Sequence, residues 1–278
     1  MKNITADFFK YAQFFAFVLS CANLYALEMR CVAHRGIHDA LPENTAEAVK
    51  LAYDSGATWV ETDFHSTKSG LNVCIHCEKV LETLSGCKKK IADLCADDLA
   101  QIDLGKSGKY DRAYRIPLME DILKLVPKDR VLQAEIKGYS PTYASDFARA
   151  VKAAGLAPKN IVVSSFDKKA LADFKSKYPE FDTMWLVVAS KYDLKRLLAE
   201  AKLLKVKYIA LGGGGFESLD AQYADGVRSA GYEFRAWGVN KRSTFLKAVE
   251  LGATGFTTNH YFDMLKLGGE IDGVKVLP

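Results

Sequence analysis

From residue 30 onward the chain alternates between two hydrophobic rhythms. Short apolar or alternating runs predict strands at 30–33, 59–64, 131–136, 161–165, 183–188, 208–211, 234–239 and 255–258. Between them, apolar positions recur at helical spacing. They predict helices over 45–55, 119–125, 145–154, 168–178, 192–204, 221–230 and 241–251. Several of these helices stop near a glycine (Gly56, Gly155, Gly231, Gly252), the residue that closes a helix in a left-handed turn without steric cost. Eight strands alternating with helices in 278 residues predict a single α/β domain, a closed (β/α)8 TIM barrel, which typically needs about 250 residues. An open doubly wound sheet shares the alternation. It would normally carry a glycine-rich phosphate loop after the first strand, and His34-Arg35-Gly36 is not one.

One apolar run breaks the count. Residues 71–76 follow the second strand too closely for a parallel crossover, which takes a dozen residues or more. The run therefore turns back antiparallel through Thr67-Lys68-Ser69-Gly70, a β-hairpin that brings His76 to within about one residue of Glu61. The segment from about 78 to 115 is then a long excursion before the next helix, and it predicts a small cap at the mouth of the barrel.

The first 26 residues have a different character. Lys2 and Lys10 precede an apolar stretch through Phe14–Leu19 that is short of the roughly 20 residues a membrane-spanning helix needs. It suits a signal peptide, although Asp7 is atypical there. Cleavage is expected after Ala26, or before Cys21, where Val18-Leu19-Ser20-Cys21 resembles a lipobox and the cysteine would carry a lipid anchor. The expected destination is export to a periplasmic, secreted or membrane-anchored location, with residues 27–278 forming the barrel. Net charge is only +4 and no run interleaves lysines with aromatics, so no nucleic-acid partner is expected, and no protein partner either. Cys74 and Cys77 form a C-x2-C without a second pair. On a predicted strand an odd separation points them to opposite faces, which argues against zinc. A disulfide among Cys77, Cys87 and Cys95 is open in an exported protein.

The candidate chemistry lies at the C-terminal strand ends, where barrel active sites are built. The first strand ends in His34-Arg35. The second carries Glu61, Asp63 and His65, spaced by two and so on one face. The third ends in Glu135 and Lys137, again on one face, and the seventh in Trp237-Gly238-Val239-Asn240. Three carboxylates buried together raise one another's pKa, and a divalent cation removes the conflict. All-oxygen ligands favour Ca2+ or Mg2+. Arg35 and Lys137 have no neutralising partner close by in sequence and suit a phosphate. His34 and His76 flank the site as a general acid and base. His65 is either a substrate contact or a lining residue of the hairpin; His38 and His260 are expected at the surface, and Gly212–Gly215 suits equally a loop that approaches a phosphate and a tight turn.

Taken in order, Ala33-His34-Arg35-Gly36, Pro42-Glu43-Asn44-Thr45, Glu61-x-Asp63, Thr67-Lys68-x-Gly70 and His76 resemble the glycerophosphodiester phosphodiesterase family. Glu135-x-Lys137, Ser164-Ser165-Phe166 and Trp237-x-Val239-Asn240 extend the resemblance over about residues 32–259. It implies hydrolysis of a small glycerophosphodiester to glycerol 3-phosphate and an alcohol. It also implies one divalent ion on Glu61, Asp63 and Glu135, an acid–base pair in His34 and His76, and phosphate contacts from Arg35 and Lys137. Trp237, with Phe166, would pack against the glycerol. The chain departs from the family in having Cys77 where an aspartate usually follows the second histidine, and in Leu81-Glu82-Thr83-Leu84 within the cap. Two other readings keep the barrel: a lysophospholipase-D-like enzyme on lipid phosphodiesters, and a catalytically impaired surface binding protein. Retention of both histidines and all three carboxylates argues against the second.

Overall fold

The computed structural model describes residues 27–278. The expected leader and its Cys21 lie outside the described residues. Ten strands form one sheet: β1 (Leu27–His34), β2 (Trp59–Ser66), β3 (Asn72–Cys74), β4 (Val131–Ile136), β5 (Ile161–Ser165), β6 (Asp182–Val188), β7 (Tyr208–Gly212), β8 (Glu233–Trp237), β9 (Gly255–Thr258) and β10 (Val274–Leu277). Eight of them, all but β3 and β10, run parallel around a barrel that closes where β1 pairs with β2. This is the (β/α)8 architecture that the alternation predicts.

The period-2 pattern sorts side chains between two cores. Outward residues such as Val60, Leu132, Val163 and Ile209 pack under the helices in the main hydrophobic core. Inward residues, among them Val32, Trp59, Val162, Leu186, Tyr208 and Ala210, fill the barrel itself. At its floor the buried Arg235 guanidinium lies 4.1 Å from the Trp59 ring and 4.8 Å from Tyr208, and burial pulls its pKa down to about 10. β10 pairs with residues Leu27–Arg30 of β1, below the point where β2 takes over the same edge. The Thr58 hydroxyl meets the Pro278 carbonyl there, so the edge is covered along its length.

Seven helices follow the strands as expected, α1 (Ala46–Asp54), α4 (Met119–Lys124), α5 (Tyr143–Ala153), α6 (Lys168–Lys177), α7 (Leu194–Leu204), α8 (Ala221–Ser229) and α9 (Arg242–Glu250); α10 (Tyr261–Gly268) is an addition to them, and α2 (Glu78–Ser85) and α3 (Ala96–Gln101) lie in the excursion. Thr45, Asp167, Asp193 and Asp220 cap four of them by accepting from backbone amides. No helix among the described residues is long and apolar enough to cross a membrane.

The hairpin is real but shorter than its apolar run. β3 pairs antiparallel with β2 in the register Phe64 to Cys74, and Ile75 donates to the Asp63 carbonyl at 3.2 Å. His76 thus sits opposite Thr62, one residue from Glu61. Beyond it the excursion builds a second small core from Leu81, Ile91, Leu94, Ile102, Leu104, Tyr114 and Ile116, joined by Val73 and Ile75 of the hairpin. The cap is therefore a folded unit with its own apolar interior.

Two cysteine expectations change. All five described cysteines are free. Cys77 and Cys87 flank the eight residues of α2, which at about 1.5 Å per residue holds their backbones near 12 Å apart, beyond disulfide reach. Cys95 instead turns its thiol to Asp98 at 3.3 Å. Cys77 does not share a strand with Cys74, because β3 ends at Cys74. It occupies the cap position before α2, with extended backbone and no side-chain bond to the helix. An aspartate there would accept the amides that the thiol leaves unbonded. Cys77→Asp is therefore expected to stabilise the fold by about 1 kcal/mol, read as a higher midpoint in urea unfolding at neutral pH. An unchanged or lower midpoint would show that this position does not act as a cap.

Candidate active site

At the C-terminal mouth of the barrel a cavity of about 250 Å3 is lined by His34, Arg35, Glu61, His76, Glu135, Lys137 and Trp237. Every residue expected at the site is there or, like Asp63, directly beneath it. β2 presents Glu61 and Asp63 inward, and the parallel register sets Asp63 beside Glu135 and Glu61 beside His34. Each of Glu61, Asp63 and Glu135 offers an oxygen within 4.8 Å of the others, and all three are buried.

That crowding has electrostatic consequences. Burial, and then the neighbouring Asp63 and Glu135 charges, push the Glu61 carboxyl well above its ordinary pKa. Burial and Asp63 raise Glu135 to about 7. Asp63 goes the other way: burial opposes its charge, but Lys137 and Arg35 outweigh it and hold the carboxylate ionised. Lys137 reaches Glu135 at 2.6 Å and Asp63 at 2.9 Å, and Arg35 reaches Asp63 at 3.1 Å and Glu43 at 2.8 Å. The expectation that these two cations lack partners is thus corrected. Glu43, eight residues beyond Arg35, supplies one, and the carboxylate cluster supplies the rest. Arg35 is shared with Glu43, so two cations serve four carboxylates, and Glu61 Oε1 is buried without a hydrogen-bond partner. This all-oxygen donor set fits a hard divalent ion.

The turn after β1 is shaped to serve the cluster. Arg35 and Gly36 both take left-handed backbone, φ 59° and 78°. For arginine this conformation is strained, and strain of this kind concentrates at functional sites. It aims the Arg35 amide at Glu61 Oε2, 3.1 Å away, while its side chain returns to Asp63. Gly36 has no alternative residue: a Cβ there would lie 2.5 Å from the Ala48 carbonyl of α1. Asn44, also left-handed at φ 60°, clasps Asp63 twice. Its amide nitrogen donates to Asp63 Oδ2 at 2.8 Å, and its oxygen accepts from the Asp63 amide at 3.0 Å.

The two histidines differ. His34 Nδ1 lies 2.5 Å from Asn259 Oδ1, so that nitrogen carries the proton and Nε2 keeps a lone pair facing the cavity, 3.8 Å from Glu61. Asn259 is itself held by Asn240, whose oxygen accepts from its amide at 2.8 Å. Burial first, then Arg35, lowers His34 to about 3, keeping the ring neutral. His76 is half-buried and also lowered, by burial and then Arg35. His65 Nε2 lies 3.0 Å from the His76 carbonyl, so it fastens the hairpin rather than facing substrate.

Across the mouth, Trp237, Phe166 and Leu186 form an apolar wall. The Trp237 indole N–H donates to the Val187 carbonyl at 3.0 Å, and Phe166 meets its ring edge-on at 5.4 Å. Gly212 explains part of the glycine run, since a Cβ there would sit 2.6 Å from the indole. Sequence reasoning assigned no role to Asn44, Asn259 or Asn240, although all three fall inside the motifs or at strand ends. Their signal is a short amide side chain directly after a turn or strand, the residue type suited to fixing an inner ligand. His260 is exposed as expected, whereas His38 is half-buried.

A family model described as the glycerophosphoryl diester phosphodiesterase family matches residues 34–261. The glycerophosphodiester phosphodiesterase of Caldanaerobacter subterraneus is 26% identical over 233 residues, covering 82% of this chain and 93% of that protein. That of Bacillus subtilis is also 26% identical, over 82% of this chain and 83% of its own length. Among solved structures, an Oleispira antarctica phosphodiesterase in complex with the product sn-glycerol-3-phosphate is similar with a TM-score of 0.72 at 21% identity, covering 86% of this chain and 96% of that one. The glycerophosphodiester phosphodiesterase of Thermotoga maritima follows at 0.67 and 23%, over 86% and 98%. With that match running from His34 to Tyr261, through every residue of the mouth, the chain belongs to the glycerophosphoryl diester phosphodiesterase family.

Proposed function

We propose that this chain hydrolyses glycerophosphodiesters to glycerol 3-phosphate and an alcohol, with one Ca2+ or Mg2+ ion held by Glu61, Asp63 and Glu135. The observation that carries the reading is the convergence, at one mouth, of a buried carboxylate triad, two cations and two histidines. The product bound in the Oleispira antarctica enzyme supports the same product here. When bound, the ion supplies Lewis-acid polarisation of the phosphoryl oxygens.

The protein's own residues do the remaining work. Arg35 and Lys137 bind the phosphate oxygens and counter the charge that develops on them. The Trp237–Phe166 wall packs against the glycerol carbons and sets their direction. His34, its Nδ1–H fixed by Asn259, accepts at Nε2 the proton of the attacking hydroxyl, from water or from the glycerol 2-position. His76, on the cap side, returns a proton to the departing alcohol as the phosphorus–oxygen bond breaks. The impaired-binding reading loses its main motive, because Cys77 begins a cap helix instead of entering the site. Export through the leader of residues 1–26 belongs to the same proposal, and the mass of the mature chain from the cell envelope would distinguish a cut before Cys21 from one after Ala26.

Release of glycerol 3-phosphate from glycerophosphodiesters, assayed with Ca2+, Mg2+ or chelator, tests the activity. His34→Ala and His76→Ala are each expected to lower kcat by about 100-fold with smaller changes in KM. Wild-type turnover in either variant removes that histidine from the mechanism.

Metal binding should also move protons. With Glu61 and Glu135 raised, the ion-free protein holds protons that a ligating carboxylate must give up. The bound state carries fewer protons, so affinity falls as pH drops below about 7 and rises above it. Calorimetry in two buffers of different ionisation enthalpy is expected to show release of about one proton or more per ion near pH 6. Binding with no proton release at that pH would show that the triad does not hold the ion.

A further inference from the structure

A second cavity, about 310 Å3, opens between the loop after β1 and the cap, lined by His38, Glu43, Lys79, Thr83, Lys109 and Tyr110. It shares a wall with the catalytic cavity. Arg35 lines the one and Glu43 the other, and the two are bonded at 2.8 Å. Lys79 follows three residues after His76. In strand order the cavity lies on the β1–β2 side of the mouth, whereas the Trp237–Phe166 wall belongs to β8 and β5. A diester with its phosphate at Arg35 and Lys137 and its glycerol against that wall would leave its other arm on the side of the mouth where this cavity opens.

The charges of the cavity select what that arm can be. Two groups there could attract a cation, and both are occupied. The Glu43 carboxylate is taken by Arg35, and the Tyr110 ring is covered by the Lys109 ammonium, 5.3 Å from its centroid. The donors, by contrast, are open. Lys109 has no carboxylate within ion-pair distance among the described residues, and Lys79 has only the loose contact to Glu82 at 3.8 Å. His38 adds a further polar side chain to the lining. We propose that this cavity receives the leaving alcohol and selects alcohols bearing an anionic group, a carboxylate or a phosphate, over quaternary ammonium alcohols. The proposal rests on the phosphodiesterase reading above and names the substrate class within it.

Four diesters of glycerol 3-phosphate test it on the full chain with Ca2+ or Mg2+ supplied. Their second alcohols are choline, its uncharged isostere 3,3-dimethylbutanol, 3-hydroxypropanoate and 2-hydroxyethyl phosphate. The expected result at low ionic strength is a kcat/KM for the two anionic esters about 5-fold or more above that for choline, with the uncharged ester between them. Added salt should shrink the difference. The carboxylate and phosphate arms show which anion fits the better. In Lys79→Glu/Lys109→Glu the ratio of anionic to choline ester should invert, and because it is a ratio, a general loss of activity cancels. Preference for choline in the wild type, or a ratio that the double variant leaves unchanged, would overturn the subsite while the phosphodiesterase reading stands. Hydrolysis of none of the four esters would overturn both.

Discussion

The mouth of this barrel depends on one electrostatic problem: three carboxylates, Glu61, Asp63 and Glu135, buried side by side on adjacent strands. Like charges at this range in a desolvated site cannot all stay ionised without compensation. Two protein cations supply part of it. The two sides then divide unequally, with Asp63 held ionised between Lys137 and Arg35 while Glu61 and Glu135 are raised. A divalent ion held by the three would find one carboxylate already ionised and two that would have to give up protons.

The same problem accounts for backbone that local preferences alone would disfavour. Arg35 and Asn44 are two of the three non-glycine residues with positive φ among the described residues, and both touch the carboxylate cluster. Each spends strain to place a donor on it: Arg35 its amide and guanidinium, Asn44 its side-chain amide. The loop between β1 and α1 is thereby tied at both ends to β2, with Asn44 also donating to the Arg35 carbonyl at 3.0 Å. Gly36 between them lies too close to α1 for any side chain. The loop is therefore fixed against the carboxylate cluster by side chain and backbone alike.

The barrel and the inner residues of the site were legible in the sequence because both follow from period. Alternation of apolar runs identified eight strands. The i, i+2 spacing put Glu61 with Asp63, and Glu135 with Lys137, on single faces at the ends where barrels do chemistry. What escaped was whatever depends on loop conformation or on partners far apart in the chain. Asn259 bonding to His34 spans 225 residues, and no local pattern announces it. Asn44 was visible as part of a motif, but its double bond to Asp63 requires a left-handed turn that spacing does not encode. Cys77 was misplaced because an apolar run was read as strand to its end, whereas the ladder stops at Cys74 and the chain turns into α2. His38, expected at the surface, is half-buried because the cap closes over the loop that carries it.

The proposed catalytic and alcohol-selecting residues are built on different supports, and the hairpin is where they meet. His76 is positioned by the barrel: β3 pairs with β2, Ile75 donates to the Asp63 carbonyl, and His65 fastens the His76 carbonyl from the same strand that carries Glu61 and Asp63. Lys79 and Lys109 belong to the cap, whose small apolar core is separate from that of the barrel and touches the hairpin through Val73 and Ile75. Those two side chains alternate with Cys74 and His76 along the chain, so the cap packs on one side of the hairpin while the barrel takes the other. Residues of the cap surface can then change without displacing His76. The divergent Leu81-Glu82-Thr83-Leu84 stretch shows the division in one helix. Leu81 is buried in the cap core, while Thr83 and Leu84 line the second cavity. On the proposed reading, the chemistry of phosphate cleavage stays with the strands, and the identity of the alcohol falls to a unit that folds against them.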